Sequence, residues 1–193
     1  MEVQFVIRPQ TDELHDYRGY AGKVISGVYK KGDEVTILPA GIETRISKLE
    51  IAGEEVFEIF APQSATILLA DDIDISRGDS IVLSKNLPTT RNEVDVLLSW
   101  MDDKPLQSGS KYYIQHNSQL QRAVVKEVSY RIDVNTLEHQ TVEDKVKLNE
   151  VVKAKLKTSS QLVYDSYEKL RANGTAILID ETSNSTVAAV LFI

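Results

Sequence analysis

The chain has 193 residues, of which 42% are hydrophobic and 26% are charged, and its formal net charge at pH 7 is −7. This composition is typical of globular proteins and excludes long disorder or a collagen-like chain. Because the sequence has no cysteine, it excludes a disulfide framework, an iron–sulfur site and a thiol nucleophile. The acidic balance also argues against a chain that binds polyanions with its whole surface, since phosphate binding needs clustered Lys and Arg.

The N-terminal sequence MEVQFVIRPQTDE lacks the basic and apolar regions of a signal peptide. The longest apolar runs are far shorter than the ~18 residues of a membrane span. We therefore expect a cytoplasmic protein with no membrane contact. Val, Ile and Thr are abundant relative to Ala, which favours strands over helices.

The first half of the sequence consists of short apolar or alternating segments separated by Gly, Pro and Asp. The expected strands are 3–8, 20–29, 34–38, 42–51, 63–69 and 81–83. Strands at a spacing of roughly 8–12 residues with such turns predict a small antiparallel barrel or sandwich.

A polar, proline-interrupted stretch then predicts a domain linker at 88–92, between a first domain at 1–87 and a second at 93–193. The second half repeats the pattern of the first, with only one helix-like segment, 165–172, before Asn173-Gly174. Its expected strands are 94–99, 124–134, 152–157, 174–179 and 186–193. The predicted fold class is all-β, with two small antiparallel β-barrels in tandem.

No constellation of residues predicts catalysis in this chain. His15, His116 and His139 are isolated, without metal-ligand spacing, and are interpreted as solvated or locally hydrogen-bonded side chains. No serine lies in a nucleophile elbow, and no P-loop or guanine-reading motif is present. The acidic run 71–74 lacks the glycine and the distal glutamate of a calcium loop. We expect no catalytic residue, no cofactor site and no metal site in this chain.

The one basic concentration comprises Lys145, Lys147, Lys153, Lys155 and Lys157. Alternation with Val, Ala and Leu predicts that the last three lysines form the solvent face of a strand. That face is either merely solvated or a docking surface for an acidic partner or a phosphate backbone. No aromatic residue alternates with these lysines in the sequence, which argues against nucleic acid as a partner. Lys153, Lys155 and Lys157 are the candidate partner-facing residues.

An ordered series of short motifs resembles a known family over essentially the whole chain. The segment YRGYAGKVISG at Tyr17–Gly27 looks like the second domain of translation-factor-type GTPases. The series as a whole resembles the large, GTPase subunit of the bacterial heterodimeric sulfate adenylyltransferase (ATP sulfurylase). Its further members are KGDEV at 31–35, LPAG at 38–41, IDISRGD at 73–79, WMDDKPL at 100–106, DSY at 165–167, RANG at 171–174 and IDETSNSTV at 179–187.

The resemblance implies a parent protein with a GTPase domain followed by two barrels of the elongation-factor domain 2 and domain 3 type. In that family the small subunit makes adenosine 5′-phosphosulfate from ATP and sulfate, and GTP hydrolysis in the large subunit drives the reaction. GTP, ATP and Mg²⁺ then belong to the parent complex. The implied partners are the small catalytic subunit and the GTPase domain of the parent chain. Since this sequence begins near the second domain, we expect it to lack the GTPase domain.

Two of the motifs supply candidate domain-interface residues. These are Arg18, Gly19, Tyr20, Gly22, Arg77 and Asp79. The glycines have an alternative role in tight barrel geometry, and Arg77-Gly78-Asp79 has an alternative role as a plain turn. Two other functions stay open, namely tRNA- or ribosome-binding barrels of another translation-factor-like GTPase and a free-standing interaction module. The WMDDKPL and DETSNSTV segments favour the sulfate family over translation factors.

Overall fold

The computed structural model describes residues 1–7, 17–142 and 145–193. Contacts between Cα atoms divide the chain into two units, Met1–Pro88 and Thr89–Ile193. Within the described ranges both units are built of β-strands, and the helical structure is a three-residue 3₁₀ turn at Arg171–Asn173. None of the helices described there is long and apolar enough to cross a membrane. The all-β prediction is confirmed.

The first unit contains a closed barrel of six antiparallel strands. The described strands are β1 (Glu2–Ile7), β2 (Gly19–Lys23), β3 (Val28–Lys30), β4 (Glu34–Leu38), β5 (Ile42–Ile51), β6 (Glu54–Val56), β7 (Glu58–Phe60), β8 (Ser64–Leu69) and β9 (Ser80–Leu83). The barrel order is β4–β9–β1–β2–β8–β5, and pairing of β5 with β4 closes it. Strand β6 pairs with β5, while β3 and β7 form a two-stranded sheet.

The interior of this barrel is filled by side chains from alternate strand positions, as expected for strands with one buried face. Val35 and Ile37 of β4 are at most 1% exposed, and Ile67 and Ile81 are fully buried. These β-branched residues pack well on a pleated surface. The core therefore follows directly from the alternation in the sequence.

The segment 20–29, predicted as one strand, is two strands in the structure. Strand β2 ends at Lys23 and β3 begins at Val28. Between them Val24 N–H donates to Gln63 O (2.8 Å), and Gly27 adopts a φ of +79°. The glycine allows a left-handed backbone directly before β3, which pairs with β7 outside the main sheet.

The second unit is also a closed six-stranded barrel. Its described strands are β10 (Thr89–Trp100), β11 (Lys111–His116), β12 (Gln119–Ile132), β13 (His139–Gln140), β14 (Val151–Tyr164), β15 (Thr175–Ile179) and β16 (Thr186–Phe192). The order is β11–β15–β16–β10–β14–β12, closed by pairing of β12 with β11. Strand β13 extends the sheet by pairing with the end of β12. Trp100 lies in the core and packs edge-to-face on Tyr112, with ring centroids 5.7 Å apart.

The structure differs from the local sequence predictions at two places in this unit. The residues 89–92, predicted as part of a linker, form the start of β10, because Thr89, Thr90 and Arg91 pair with the end of the long strand β14. The predicted helix at 165–172 is a series of turns that ends in the 3₁₀ turn. That segment is too short to stabilise a helix by itself, and side-chain hydrogen bonds to its own turns compete with one.

Candidate interaction surfaces

The side chains of the RGYAG motif hold the loop that follows β8. The Tyr20 hydroxyl donates to the carbonyl oxygen of Ile73 at 2.6 Å, and Arg18 Nη1 donates to the same oxygen at 3.0 Å. Arg18 also forms an ion pair with Asp72. Tyr20 is 1% exposed, so its ring is part of the barrel core. These two candidate interface residues therefore stabilise their own barrel.

The two glycines of the motif allow backbones to approach closely. A Cβ at Gly22 would overlap the carbonyl oxygen of Glu2 on the neighbouring strand β1, and one at Gly19 would lie 2.7 Å from Thr66 Cγ2. Both glycines are buried in the barrel wall. Their alternative role, tight barrel geometry, accounts for both positions.

The Arg77-Gly78-Asp79 segment is a turn tied to β1. The Asp79 carboxylate accepts a hydrogen bond from Ser76 N–H at 2.8 Å, and Gly78 N–H donates to Val3 O at 2.9 Å. Burial raises the pKa of Asp79, although the hydrogen bond from Ser76 acts in the opposite direction. Arg77 is exposed. Contact of Arg77 and Asp79 with another domain stays a prediction.

A polar network next to the RGYAG motif is not apparent from the sequence. The buried carboxylate of Glu50 accepts from the Tyr17 hydroxyl at 2.7 Å and lies 2.8 Å from Lys48 Nζ. Burial raises the pKa of Glu50, but the hydrogen bonds from Lys48 and Tyr17 outweigh it and leave that pKa below its usual value. Burial, together with the bond to Glu50, raises the pKa of Tyr17 to about 12. The network holds Tyr17, which lies just before β2, against Glu50 of β5 and is a structural feature.

The lysine stripe, Lys153, Lys155 and Lys157, lies on the outer face of β14, as the alternation predicts, while Val152, Ala154 and Leu156 are fully buried. Neighbouring acidic side chains neutralise two of the three charges. In the β10–β14 register, Lys155 is opposite Asp95 and Lys157 is opposite Glu93, with N–O distances of 3.9 and 3.5 Å. Exposed pairs of this kind contribute about 0–1 kcal/mol to stability. A partner-facing role for the stripe stays a prediction.

The tertiary structure also brings aromatic rings to the lysine stripe. Lys153 Nζ lies 5.9 Å from the ring centroid of Tyr130, its register partner on β12. The Tyr130 ring stacks on exposed His139, with centroids 4.0 Å apart. These residues are far apart in the sequence, so only the register of β12, β13 and β14 reveals the cluster.

His116 belongs to a buried polar network in the second barrel. Its Nδ1 lies 2.9 Å from Thr175 O and its Nε2 lies 3.1 Å from Val163 O. The neighbouring Asn117 donates to Asn173 Oδ1 at 3.0 Å, and Asn173 in turn donates to the carboxylate of Asp165 at 3.0 Å. The network joins both ends of the segment 165–172, which the sequence predicts as a helix, to the rest of the barrel. His15 lies outside the described residues.

In the described ranges, no three or more His, Cys, Asp or Glu side chains are grouped so that they could hold a metal ion. Several outer surfaces of the two barrels expose charged or apolar side chains. The most distinctive is the turn at 133–138 between β12 and β13, where Val134 and Leu137 are 63% and 74% exposed. No motif in the sequence indicated this turn, although a leucine among polar turn residues is a weak signal of it.

Comparison with known proteins identifies relatives of both barrels. Residues 93–191 match the family model described as GTP-eEF1A C-terminal domain-like. The chain is 44% identical over 188 residues to a "Bifunctional enzyme CysN/CysC" of Mycobacterium tuberculosis. It is 36% identical over 191 residues to "Sulfate adenylyltransferase subunit 1" of Bacteroides fragilis. These matches cover 97% and 99% of this chain but only 31% and 39% of the relatives.

The fold itself matches solved structures. A crystal structure of sup35 complexed with GDP superposes with a TM-score of 0.86 at 15% identity, covering 100% of this chain and 46% of that one. At this level of identity the match shows a shared fold only. It confirms the prediction of barrels of the translation-factor type.

Proposed function

Because the chain belongs to the GTP-eEF1A C-terminal domain-like family, and its relatives include sulfate adenylyltransferase subunit 1, we propose that it forms the barrel portion of a sulfate adenylyltransferase large subunit. In this proposal the barrels couple GTP hydrolysis in a GTPase domain to adenylyl transfer from ATP to sulfate. The small subunit performs that transfer in the cytoplasm and produces adenosine 5′-phosphosulfate. GTP, ATP and Mg²⁺ bind to other parts of the complex.

One observation carries the proposal, namely identity of 34–44% that extends over 97–99% of the chain to proteins with this name and to the bifunctional CysN/CysC enzymes. The aligned residues extend over both units, so the similarity is not confined to one barrel. The chain spans about a third to two fifths of the length of these relatives. The activity of the whole protein is therefore proposed for this chain as one part of it.

The structure suggests how such barrels would contribute. Each barrel is a closed ring of hydrogen-bonded strands around a tightly packed core, and such a body moves as a unit rather than deforming. The loop after β8 is held to β2 by Tyr20 and Arg18, so it follows the motion of its barrel. A rigid barrel of this kind would transmit a nucleotide-dependent movement of a neighbouring domain to a partner subunit.

A hybrid protein tests the proposal. This chain would replace the aligned segment in the Bacteroides fragilis subunit 1, which would then be assayed with its own small subunit for GTP-dependent pyrophosphate release from ATP and sulfate. We expect activity well above that of a matched variant from which the segment is deleted. The isolated chain should neither bind Mg²⁺-GTP tightly nor release pyrophosphate. A hybrid no more active than the deletion variant would contradict the proposal.

The lysine stripe provides a second test of contact with the small subunit. Charge reversal at all three lysines, Lys153, Lys155 and Lys157, should slow association at low salt if the stripe faces the partner, because rim charges mainly affect association rates. Stopped-flow fluorescence at two ionic strengths measures this rate. An unchanged rate would show that the stripe is only a solvated face.

A further inference from the structure

The N-terminal nitrogen of the chain lies inside the first barrel. Met1 is 2% exposed, and its side chain belongs to the barrel core. The amino group donates to Ile81 O at 2.7 Å and to the hydroxyl oxygen of Tyr29 at 2.9 Å. Chain ends usually lie at the surface, where water solvates their charge, so an amino group in a core needs a reason.

The backbone of Met1 already forms part of the ladder that closes the barrel. Ile81 N–H donates to Met1 O at 2.8 Å, so Met1 and Ile81 exchange both hydrogen bonds, as two paired residues inside an antiparallel sheet do. The next register pair is Glu2 with Ser80. The Met1 nitrogen therefore has the position of a peptide N–H within a strand.

The surroundings of this nitrogen suit an uncharged group. A protonated amino group has three N–H donors, and among the described residues two acceptors lie within hydrogen-bond distance of it. Burial lowers the pKa of the Met1 amino group to about 5, although the Glu2 carboxylate opposes this effect. Burial also raises the pKa of Tyr29 to about 12, so its hydroxyl stays protonated and donates to Ile81 O. A peptide N–H carries no charge and would occupy the same position without the cost of burying one.

Strand β9 continues past the point that β1 reaches. Because the N–H and C=O groups of Ile81 face β1, alternation along the strand places the N–H of Leu83 on the same side. On its other side β9 pairs with β4, where Val82 is opposite Thr36. The Leu83 carbonyl accepts from Asn86 N–H at 2.9 Å, so the N–H of Leu83 is the group that a longer β1 would engage.

We propose that residues preceding Met1 in the full-length large subunit continue β1 along β9, and that the second residue before Met1 accepts a hydrogen bond from Leu83 N–H. This inference rests on the proposed function, in which the chain is the barrel portion of a longer protein. The segment that covers this edge of β9 is then part of the same polypeptide. Its peptide bond to Met1 replaces the buried amino group by an uncharged N–H.

The charge of the amino group is tested with the unmodified chain, the chain acetylated at Met1 and the chain extended by Gly-Ser-Thr before Met1. Because burial lowers the pKa from its ordinary value of 8.0 to about 5, the unfolded state binds more protons between these values. The stability of the unmodified chain should therefore be lost as the pH falls from 8.0 toward 5. The unfolding equilibrium constant of the first barrel should rise about tenfold per pH unit, measured by urea unfolding followed by NMR. Both modified proteins should lack this dependence.

Other titratable groups lie in the same part of the barrel. They are Glu2, its register partner Lys23 on β2, Tyr29 on β3, and Asp79, whose carbonyl oxygen accepts from Val3 N–H. All of these groups are identical in the three proteins, so the comparison cancels their contributions. A pH dependence of equal size in all three proteins would overturn the burial of an uncharged nitrogen, and the inference with it.

Hydrogen exchange at the Leu83 amide separates the acetylated protein from the extended one. Acetylation removes the charge but places no residue opposite Leu83, whereas the extension does both. Exchange at Leu83 should be about tenfold slower in the extended protein, while exchange at Val82, which is paired with β4, should change little. Equal exchange at Leu83 in these two proteins would overturn the continuation of β1 and leave the proposed function standing. An inactive hybrid would contradict the proposed function without changing either measurement.

Discussion

The RGYAG segment, Arg18–Gly22, and the turn at 133–138 use their distinctive residues in opposite ways. In the first, Tyr20 and Gly22 are buried in the barrel wall and Arg18 binds the loop after β8. In the second, the polar groups bond within the turn while Val134 and Leu137 face solvent. A conspicuous motif can thus serve the fold of its own domain, while exposed apolar side chains lie in a segment without a motif. Four predictions test this contrast.

The largest effect is expected for Gly22→Ala. The new Cβ would overlap the carbonyl oxygen of Glu2, and backbone atoms on two paired strands cannot separate without breaking β1–β2 pairing. We expect the free energy of unfolding to fall by about 3 kcal/mol or more, measured by urea unfolding followed by circular dichroism. Gly32→Ala is the control, since Gly32 has a φ of +90° but open space around its Cβ position, and it should cost only about 1 kcal/mol. A loss for Gly22→Ala no larger than that for Gly32→Ala would show that the close approach of Glu2 O does not determine the role of Gly22.

A smaller loss is expected for Tyr20→Phe. The variant removes the hydroxyl that donates to Ile73 O at 2.6 Å and leaves that carbonyl with Arg18 alone. The free energy of unfolding should fall by about 1–2 kcal/mol. Tyr113→Phe, at a half-buried tyrosine of the second barrel, should have almost no effect in the same assay. A Tyr20→Phe variant as stable as the parent would mean that the loop after β8 is not held by this bond.

The corresponding change in the 133–138 turn should not destabilise the chain. Leu137→Asn relieves the unfavourable φ of +62° and removes no internal packing, so the free energy of unfolding should rise by about 0.5 kcal/mol. Leu137→Ala keeps a strained backbone and should show no such gain. Differential scanning calorimetry compares the three proteins. A loss of stability above about 1 kcal/mol for the asparagine variant would show that Leu137 packs within its own chain.

The smallest effect concerns the pH dependence of the same turn. Hydrogen bonds from the N–H groups of Asn135 and Thr136 lower the pKa of Asp133 below its ordinary value of 3.8. A lowered folded pKa means that the carboxylate stabilises the turn above the unfolded value and that this contribution is lost as the pH falls through the folded pKa. In NMR spectra the Asn135 amide shift should therefore titrate with a midpoint below 3.8. Asp133→Asn should abolish that titration, and a midpoint at or above 3.8 would contradict the arrangement.

Sequence alone determined the fold class and most of the strands. The alternation over 152–157 predicts a strand that the structure contains, because burial on one face requires a period of two. Turn residues on both sides of 34–38 predict another strand that is present. The ordered motifs from Tyr17 onward also identified the family of relatives. The sequence did not predict the structure where local composition and long-range strand pairing favour different conformations. Residues 89–92 have the composition of a linker but form a strand because β14 is long enough to pair with them.

The tertiary structure decided the roles of individual side chains. Whether Gly22 contacts a ligand or a neighbouring strand depends on the path of β1, which no local pattern specifies. The pairing of the lysine stripe with Asp95 and Glu93, and the approach of Tyr130 to Lys153, follow from strand register alone. The exposure and backbone conformation of Leu137 likewise depend on the hydrogen bonds that close its turn. The local order of apolar and polar residues encodes which face of a strand is buried. Strand register and long-range hydrogen bonds determine which side chains remain available to a partner.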